Sequence, residues 1–193
     1  MRRLDPYLVT GPTLGAVNLA EIKLHLRVDD DDRDLIIQDL IDSALAYYDG
    51  FSGVLNRCLV NQTWAEKMEY LGDIRIPLTL WPVQSVTSVT YYDTNNALQT
   101  LSASVYRLNK MNATAYLELL EGQSWPSVYS RDDAVTITYV AGYGAASSDV
   151  PADIRAAIKL HVEANYESPD ATDVGRLEAA QDRLIIKYRR VGF

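Results

Sequence analysis

The sequence is poor in cysteine and histidine, and it has no long apolar run. Its single cysteine, Cys58, cannot form a disulfide within the chain, and no cluster of Cys and His has the spacing of a zinc site. We therefore expect a chain made in a reducing compartment, the cytoplasm. No segment approaches the roughly 18 apolar residues needed to cross a bilayer. Arg2 and Arg3 are not followed by the apolar core of a secretory signal, so we expect no membrane partner.

Basic residues are also scarce relative to acidic ones. The chain has 18 Lys and Arg against 26 Asp and Glu, which gives a net charge of −8. A protein whose main surface grips a nucleic-acid backbone needs clustered cations, so the composition argues against that role while allowing DNA to pass nearby. The 193 residues, 48% hydrophobic and 23% charged, suit one globular domain or one domain with an inserted lobe.

The strongest local pattern lies near the N-terminus. Asn18 and Glu21 have the spacing of a capping box, which predicts a short helix. The acidic run 29–32 precedes a second, longer helix that we expect to stop at Gly50 or Gly53. One apolar stripe is predicted for this second helix, formed by Ile36, Leu40, Ile41, Ala44, Leu45 and Tyr48.

The middle of the chain changes to an alternating pattern typical of strands. Val83, Val86, Val89 and Tyr91 lie among serines and threonines and lead into the polar turn 93–96, which predicts a hairpin. Helical periodicity returns after Pro151, with helices expected at 151–167 and about 174–188.

The predicted fold class is α+β: a helical bundle formed by the N- and C-terminal helices, with an inserted small antiparallel β lobe. The expected segments are an extended N-terminal arm at 1–17, a helix pair at 18–57, the β lobe at 58–141, C-terminal helices at 150–188 that pack on the N-terminal pair, and a basic tail at 189–193.

Candidate catalytic and metal-binding residues are few. The run 29–34 lacks the turn glycine and the terminal glutamate of a calcium loop, so a solvated helix start is favoured over a metal site. His25 and His161 lie within helical patterns and beside no nucleophile. We predict no catalytic residue, metal or cofactor. Two alternatives stay open: a metal-dependent hydrolase using the acidic run, and a free-standing β-type ligand-binding module with helical flanks, for carbohydrate, which requires Trp81 and Trp125 exposed on one β face.

The C-terminal end carries the opposite charge to the rest of the chain. From Arg176 to Phe193 there are five basic residues and two acidic ones. Cations at this position favour the negative end of a helix. They also suit a docking tail for an acidic partner surface, with Phe193 as an apolar anchor. Both interpretations remain open from the charge pattern.

Five segments of the chain carry a resemblance to a known family and occur in the same order as in that family. They are LAEIKLHLRVDDDDRDLIIQDLIDSA at 19–44, FSGVLNRCLVNQTW at 51–64, IRIPLTLWPVQSVTSVTYYD at 74–93, ITYVAGYG at 137–144 and VPADIRAAIKLHVEANYE at 150–167. In these segments the chain resembles the head-to-tail connector (adaptor) proteins of long-tailed phages and of phage-like gene transfer agents. The first segment and the P-x-x-SV-x-SV-x-Y-x-D pattern are the most specific. Residues 1–17 and the chain beyond 167 lie outside the resemblance.

The resemblance implies a virion structural protein and not an enzyme. Members form a ring, twelvefold in the particle, beneath the portal vertex of a DNA-filled head. Such a ring extends a channel through which DNA passes without sequence-specific binding, and it carries a neck, stopper or tail protein below. The location implied is the head-tail joint of the particle, with the host cytoplasm before assembly. The C-terminal segment of the family commonly reaches the portal, and the charge pattern predicts the portal-binding residues here to be Arg183, Lys187, Tyr188, Arg189, Arg190 and Phe193.

Overall fold

The computed structural model describes residues 2–72, 75–111, 114–166 and 170–189. The chain divides into two compact units. Residues 1–13 and 61–142 form the first, called here the β unit, and residues 14–60 and 143–193 form the second, the helical unit. The chain is α+β, as predicted from the sequence, with antiparallel sheets in one unit and α-helices in the other. Among the described residues, every helix is too short or too polar to cross a bilayer.

The β unit contains two antiparallel sheets. The first has the strand order β1-β2-β8-β4-β5 and the second the order β3-β7-β6. The strand bounds are β1 Tyr7–Thr10, β2 Gln62–Met68, β3 Arg75–Pro77, β4 Val83–Tyr92, β5 Leu98–Thr100, β6 Tyr106–Met111, β7 Thr114–Leu119 and β8 Val135–Ala141.

The predicted hairpin is confirmed. Strands β4 and β5 pair with Tyr92 opposite Leu98, and the turn between them is built on Asp93. The Oδ1 atom of Asp93 accepts hydrogen bonds from the amides of Asn95 and Ala97, at 2.9 and 3.0 Å. These bonds let an aspartate side chain replace part of the backbone ladder, which is why this residue type favours turns.

The extended N-terminal arm expected at 1–17 contains a strand that the sequence did not predict. Residues Tyr7–Thr10 pair with β2 as an edge strand of the five-stranded sheet. The amide of Leu4 also donates to the carbonyl of Lys67, at 3.0 Å. This pairing depends on a strand more than 50 positions away in the sequence, so no local period signals it.

Four helices and a shared core make up the described helical unit. Their bounds are α1 Leu19–Leu26, α2 Asp34–Tyr48, α3 Ala152–Tyr166 and α4 Ala171–Ile185, and a 3-10 turn at Ile186–Tyr188 follows α4. The core contains side chains from both ends of the chain, including Ile22, Ile41, Tyr48, Ile158, Val162 and Ile185.

Two helix starts show how local chemistry sets the bounds. The capping box of α1 is present, since the Asn18 side chain accepts from the Glu21 amide and the Glu21 side chain accepts from the Asn18 amide. Helix α4 begins three residues earlier than predicted, because the Asp170 side chain accepts from the amides of Thr172 and Asp173, at 2.9 and 3.0 Å.

The predicted stripe of α2 is wrong at one position. Ile37 is fully buried, whereas Ile36 is 56% exposed. The buried residues of α2 are Ile37, Ile41, Ala44 and Tyr48. Their spacing of four, three and four residues keeps them on one helical face. Ile36 therefore lies outside the core, on the exposed side of α2.

Candidate assembly surfaces

The C-terminal end of the helical unit is held by a buried arginine. Arg57 is 7% exposed, and its Nε atom donates to the carbonyl of Tyr188 at 2.7 Å. Its Nη1 atom donates to the Tyr143 hydroxyl at 3.3 Å, and its guanidinium lies 5.9 Å from the centre of the Tyr188 ring. Burial raises the pKa of Tyr143, so this hydroxyl stays neutral beside the cation. Arg57 lies in an aperiodic segment, and nothing in the sequence marks it as functional.

Three of the predicted portal-binding residues, Lys187, Tyr188 and Arg189, form the anchored end of the helical unit, called here the base. The ammonium of Lys187 lies 2.6 Å from a carboxylate oxygen of Asp153, which raises the pKa of Lys187. Arg189 donates to Asp182 at 2.6 Å, and Tyr188 is held by Arg57 through its carbonyl. The base from 187 to 189 is thus fixed to its own helical unit.

The other three predicted residues stand apart from this base. Arg183 is exposed on α4, and it forms no ion pair with another described residue. Arg190 and Phe193 lie outside the described residues.

The acidic turn between α1 and α2 is bound by a lysine. The ammonium of Lys23 lies 2.6 Å from Asp31 and 2.7 Å from Asp34. The hydrogen bond to Lys23 lowers the pKa of Asp31. A cation of the chain itself thus occupies the position that a metal-dependent hydrolase would give to its ion. Within the described part of the chain, no three His, Cys, Asp or Glu side chains are grouped so as to hold a metal.

A polar cleft of about 420 Å³ opens between α2, α3 and α4. His161 forms part of its wall, with its ring 5.1 Å from that of Tyr47 and 5.6 Å from that of Tyr48. Burial lowers the pKa of His161, which favours the neutral ring. The other histidine, His25, lies 2.9 Å from Glu163. Both histidines thus contact groups of their own helical unit.

The tryptophans do not form the exposed platform that a carbohydrate module requires. Trp81 and Trp125 are both half-buried in the β unit. The third tryptophan, Trp64, is buried in β2, where its indole nitrogen donates to Gln62 at 3.0 Å.

A family model for phage gp6-like head-tail connector proteins matches residues 16–121, more than half of the chain. The chain belongs to this family. The matched segment contains α1, α2 and strands β2 to β7. The role of this connector is therefore structural, because the family consists of proteins that connect head and tail. The tail that carries the predicted portal-binding residues lies outside the match. No curated protein sequence matches the connector.

Solved structures with a similar fold come from gene transfer agent (GTA) particles. One is described as the neck of an empty GTA particle computed with C6 symmetry, and it is 22% identical with a TM-score of 0.80. A second, from the virion of a native GTA particle, is 22% identical with a TM-score of 0.75. A third, the neck of a native GTA particle computed with C12 symmetry, is 21% identical with a TM-score of 0.70. In each comparison the alignment covers 98% of the connector and 97% of the other chain, so the similarity extends over both units of the fold.

Proposed function

We propose that this connector assembles as a ring of twelve copies at the head-tail joint of a phage-like gene transfer particle. The observation that carries the proposal is the family match over residues 16–121. The similarity of the whole fold to chains from GTA necks supports the same place in the particle. A portal lies above the ring in this proposal, and a neck, stopper or tail protein lies below it. The copies exist in the host cytoplasm before assembly.

The charge of the chain suits a wall around a DNA channel. The net charge of −8 repels phosphates, so DNA can slide past the ring without being retained. The same charge gives no basis for sequence-specific contacts, which need side chains placed at base edges.

The C-terminal end is proposed to reach the portal. Lys187, Tyr188 and Arg189 form the base of this contact, since their bonds to Asp153, Arg57 and Asp182 hold residues 187–189 on the helical unit. Arg190 and Phe193 then supply a cation and an aromatic anchor beyond that base.

The test is electron microscopy of particles from a strain that lacks the gene. Filled heads and finished tails lying apart would support the proposed joint, and the wild-type gene supplied in trans should restore tailed particles. Normal tailed particles from the deletion strain would overturn the proposal.

A truncated variant tests the portal contact separately. A chain that ends after Arg189 keeps the anchored base but loses residues 190–193. We expect it to leave heads without a bound connector. Heads that carry the truncated connector would assign the portal contact to another surface.

A further inference from the structure

Three apolar side chains of the helical unit are exposed at one end of the α1–α2 pair. Leu24 is 82% exposed, Leu35 is 83% exposed and Ile36 is 56% exposed. Lys23 and Asp34 are joined by the ion pair described above, and each is the sequence neighbour of one of the leucines, which places both leucines at the same end of the pair. The exposed carboxylates of Asp29 and Asp32 lie in the turn beside them. We call Leu24, Leu35, Ile36, Asp29 and Asp32 the apolar-acidic surface.

A second surface of the same unit has a complementary character. Ile186 is 69% exposed directly after α4. Arg183 precedes it by three residues, so the two side chains share one face of the helix. These two residues are called the basic surface. Lys187, the next residue, is held by Asp153 and belongs to the tail base.

The two surfaces lie at opposite ends of α3. Arg33, at the start of α2, donates to the Tyr166 hydroxyl at the last residue of α3, at 3.0 Å. Lys187, beside Ile186, pairs with Asp153 at the second residue of α3. Helix α3 has 15 residues, and at about 1.5 Å per residue this corresponds to about 22 Å. The surfaces are therefore too far apart to cover each other within one copy.

We propose that the apolar-acidic surface of one copy docks on the basic surface of the next copy in the ring. The contact places Leu35 and Ile36 against Ile186, with Asp29 and Asp32 around Arg183. It is a heterologous contact, in which two different patches meet, and such a contact generates a ring when the rotation between successive copies closes. Apolar centres with complementary charges at the edge are typical of specific interfaces. The inference rests on the proposed ring, and it assigns Arg183 to the neighbouring copy instead of the portal.

Disulfide cross-linking tests the geometry directly. The variant with Leu35→Cys and Ile186→Cys changes two exposed positions, and the native Cys58 is buried and does not compete. A disulfide needs Cα atoms within about 7 Å, so the new cysteines cannot join within one copy. In particles treated with a mild thiol oxidant, we expect a ladder of dimers, trimers and larger species on a non-reducing gel. Each single-cysteine variant should run as a monomer on the same gel.

The outcomes separate this inference from the proposed function. Tailed particles that give no ladder would overturn the interface and leave the connector role intact. Dimers from a single-cysteine variant would show a contact between identical patches and would also overturn it. The connector role is tested separately by the deletion strain, and normal tailed particles from that strain would overturn it.

Charge reversal tests the chemistry of the same contact. Arg183→Glu should lower the fraction of tailed particles about tenfold or more, because it sets like charges against each other at the edge of the interface. Adding Asp29→Lys and Asp32→Lys should restore most of the loss. Arg176→Glu, an exposed change on the same helix two turns away, should have little effect.

The rescue decides between a neighbouring copy and the portal. A portal contact of Arg183 would not be repaired by changes in the α1–α2 turn. A triple variant no better than Arg183→Glu alone would therefore overturn the inference.

Discussion

Glu66 is a carboxylate in the interior of the β unit. It is 1% exposed, and it accepts hydrogen bonds from the amide of Thr79 at 2.7 Å and from the hydroxyl of Thr79 at 3.0 Å. It also accepts from the Tyr139 hydroxyl, and the guanidinium of Arg3 lies 3.8 Å away. One side chain thus joins β2, β8, the segment before β4 and the start of the chain.

Removing this carboxylate should destabilise the β unit. Glu66→Ala removes the acceptor of two hydrogen bonds from Thr79 and one from the Tyr139 hydroxyl, and we expect the free energy of unfolding to fall by about 3 kcal/mol. Glu66→Gln keeps one carbonyl acceptor and should lose less. The three tryptophans lie between residues 61 and 142, so tryptophan fluorescence during denaturant unfolding reports on this unit.

A matched control is Glu121→Ala, because Glu121 is an exposed glutamate of the same unit. Its effect should stay within about 0.5 kcal/mol. Equal losses for Glu66→Ala and Glu121→Ala would contradict the role given to the buried hydrogen bonds.

His161 should make the stability of the helical unit depend on pH. Burial lowers the pKa of the folded ring, although hydrogen bonding to Gln181 and the charge of Glu178 oppose the shift. The unfolded chain therefore binds more protons below its ordinary pKa of about 6.5, and the folded state loses stability as the pH falls through this window. His161→Gln removes the part of the pH dependence that His161 contributes.

The measurement is denaturant unfolding of both proteins followed by far-UV circular dichroism, between about pH 5 and pH 7.5. The carboxylates are common to both proteins and cancel in the difference. Parallel stability curves for wild type and His161→Gln would contradict the prediction.

At the scale of elements, the end of α2 depends on two glycines that the sequence marked as stop signals. Gly50 has a φ of 76°, in the left-handed region that a side chain disfavours. Gly53 is limited by space, since a β carbon there would lie 2.5 Å from the carbonyl oxygen of Asp49 and 2.6 Å from the carbonyl carbon of Tyr48. The chain must pass this close to α2 in order to turn back.

Two glycine-to-alanine changes should therefore have opposite signs. Gly53→Ala should lower the free energy of unfolding of the helical unit by about 1–3 kcal/mol, because the backbone has to move. Gly175→Ala lies within α4, and a β carbon there meets nothing within 4 Å. It should raise the stability by about 0.5–1 kcal/mol. Circular dichroism of the two variants in denaturant checks the signs, and a destabilised Gly175→Ala would contradict this account.

The sequence predicted elements well where the signal is local. The capping box at Asn18, the turn at Asp93 and the α+β order depend on residues a few positions apart. It did not predict strand β1, whose partner β2 is distant in the chain. It also placed Ile36 in the core in place of Ile37, because adjacent isoleucines fit one helical period almost equally well and only packing selects between them. Arg57 was missed for the same reason, since its partners Tyr143 and Tyr188 are far away in sequence.

At the scale of the whole molecule, the connector should not retain duplex DNA although DNA is proposed to pass through its ring. Affinity for duplex DNA comes largely from cations that displace counterions from phosphates. The chain has a net charge of −8, and three cations near its basic end, Lys187, Arg189 and Arg176, are paired with Asp153, Asp182 and Asp173. In fluorescence anisotropy with a labelled duplex, we expect no saturable binding at moderate ionic strength. A variant with Asp153→Asn and Asp182→Asn frees two of these cations and should gain weak binding that disappears as salt is added. Saturable, salt-dependent binding by the wild-type connector would show that the ring holds DNA, and a non-adhesive wall would then be ruled out.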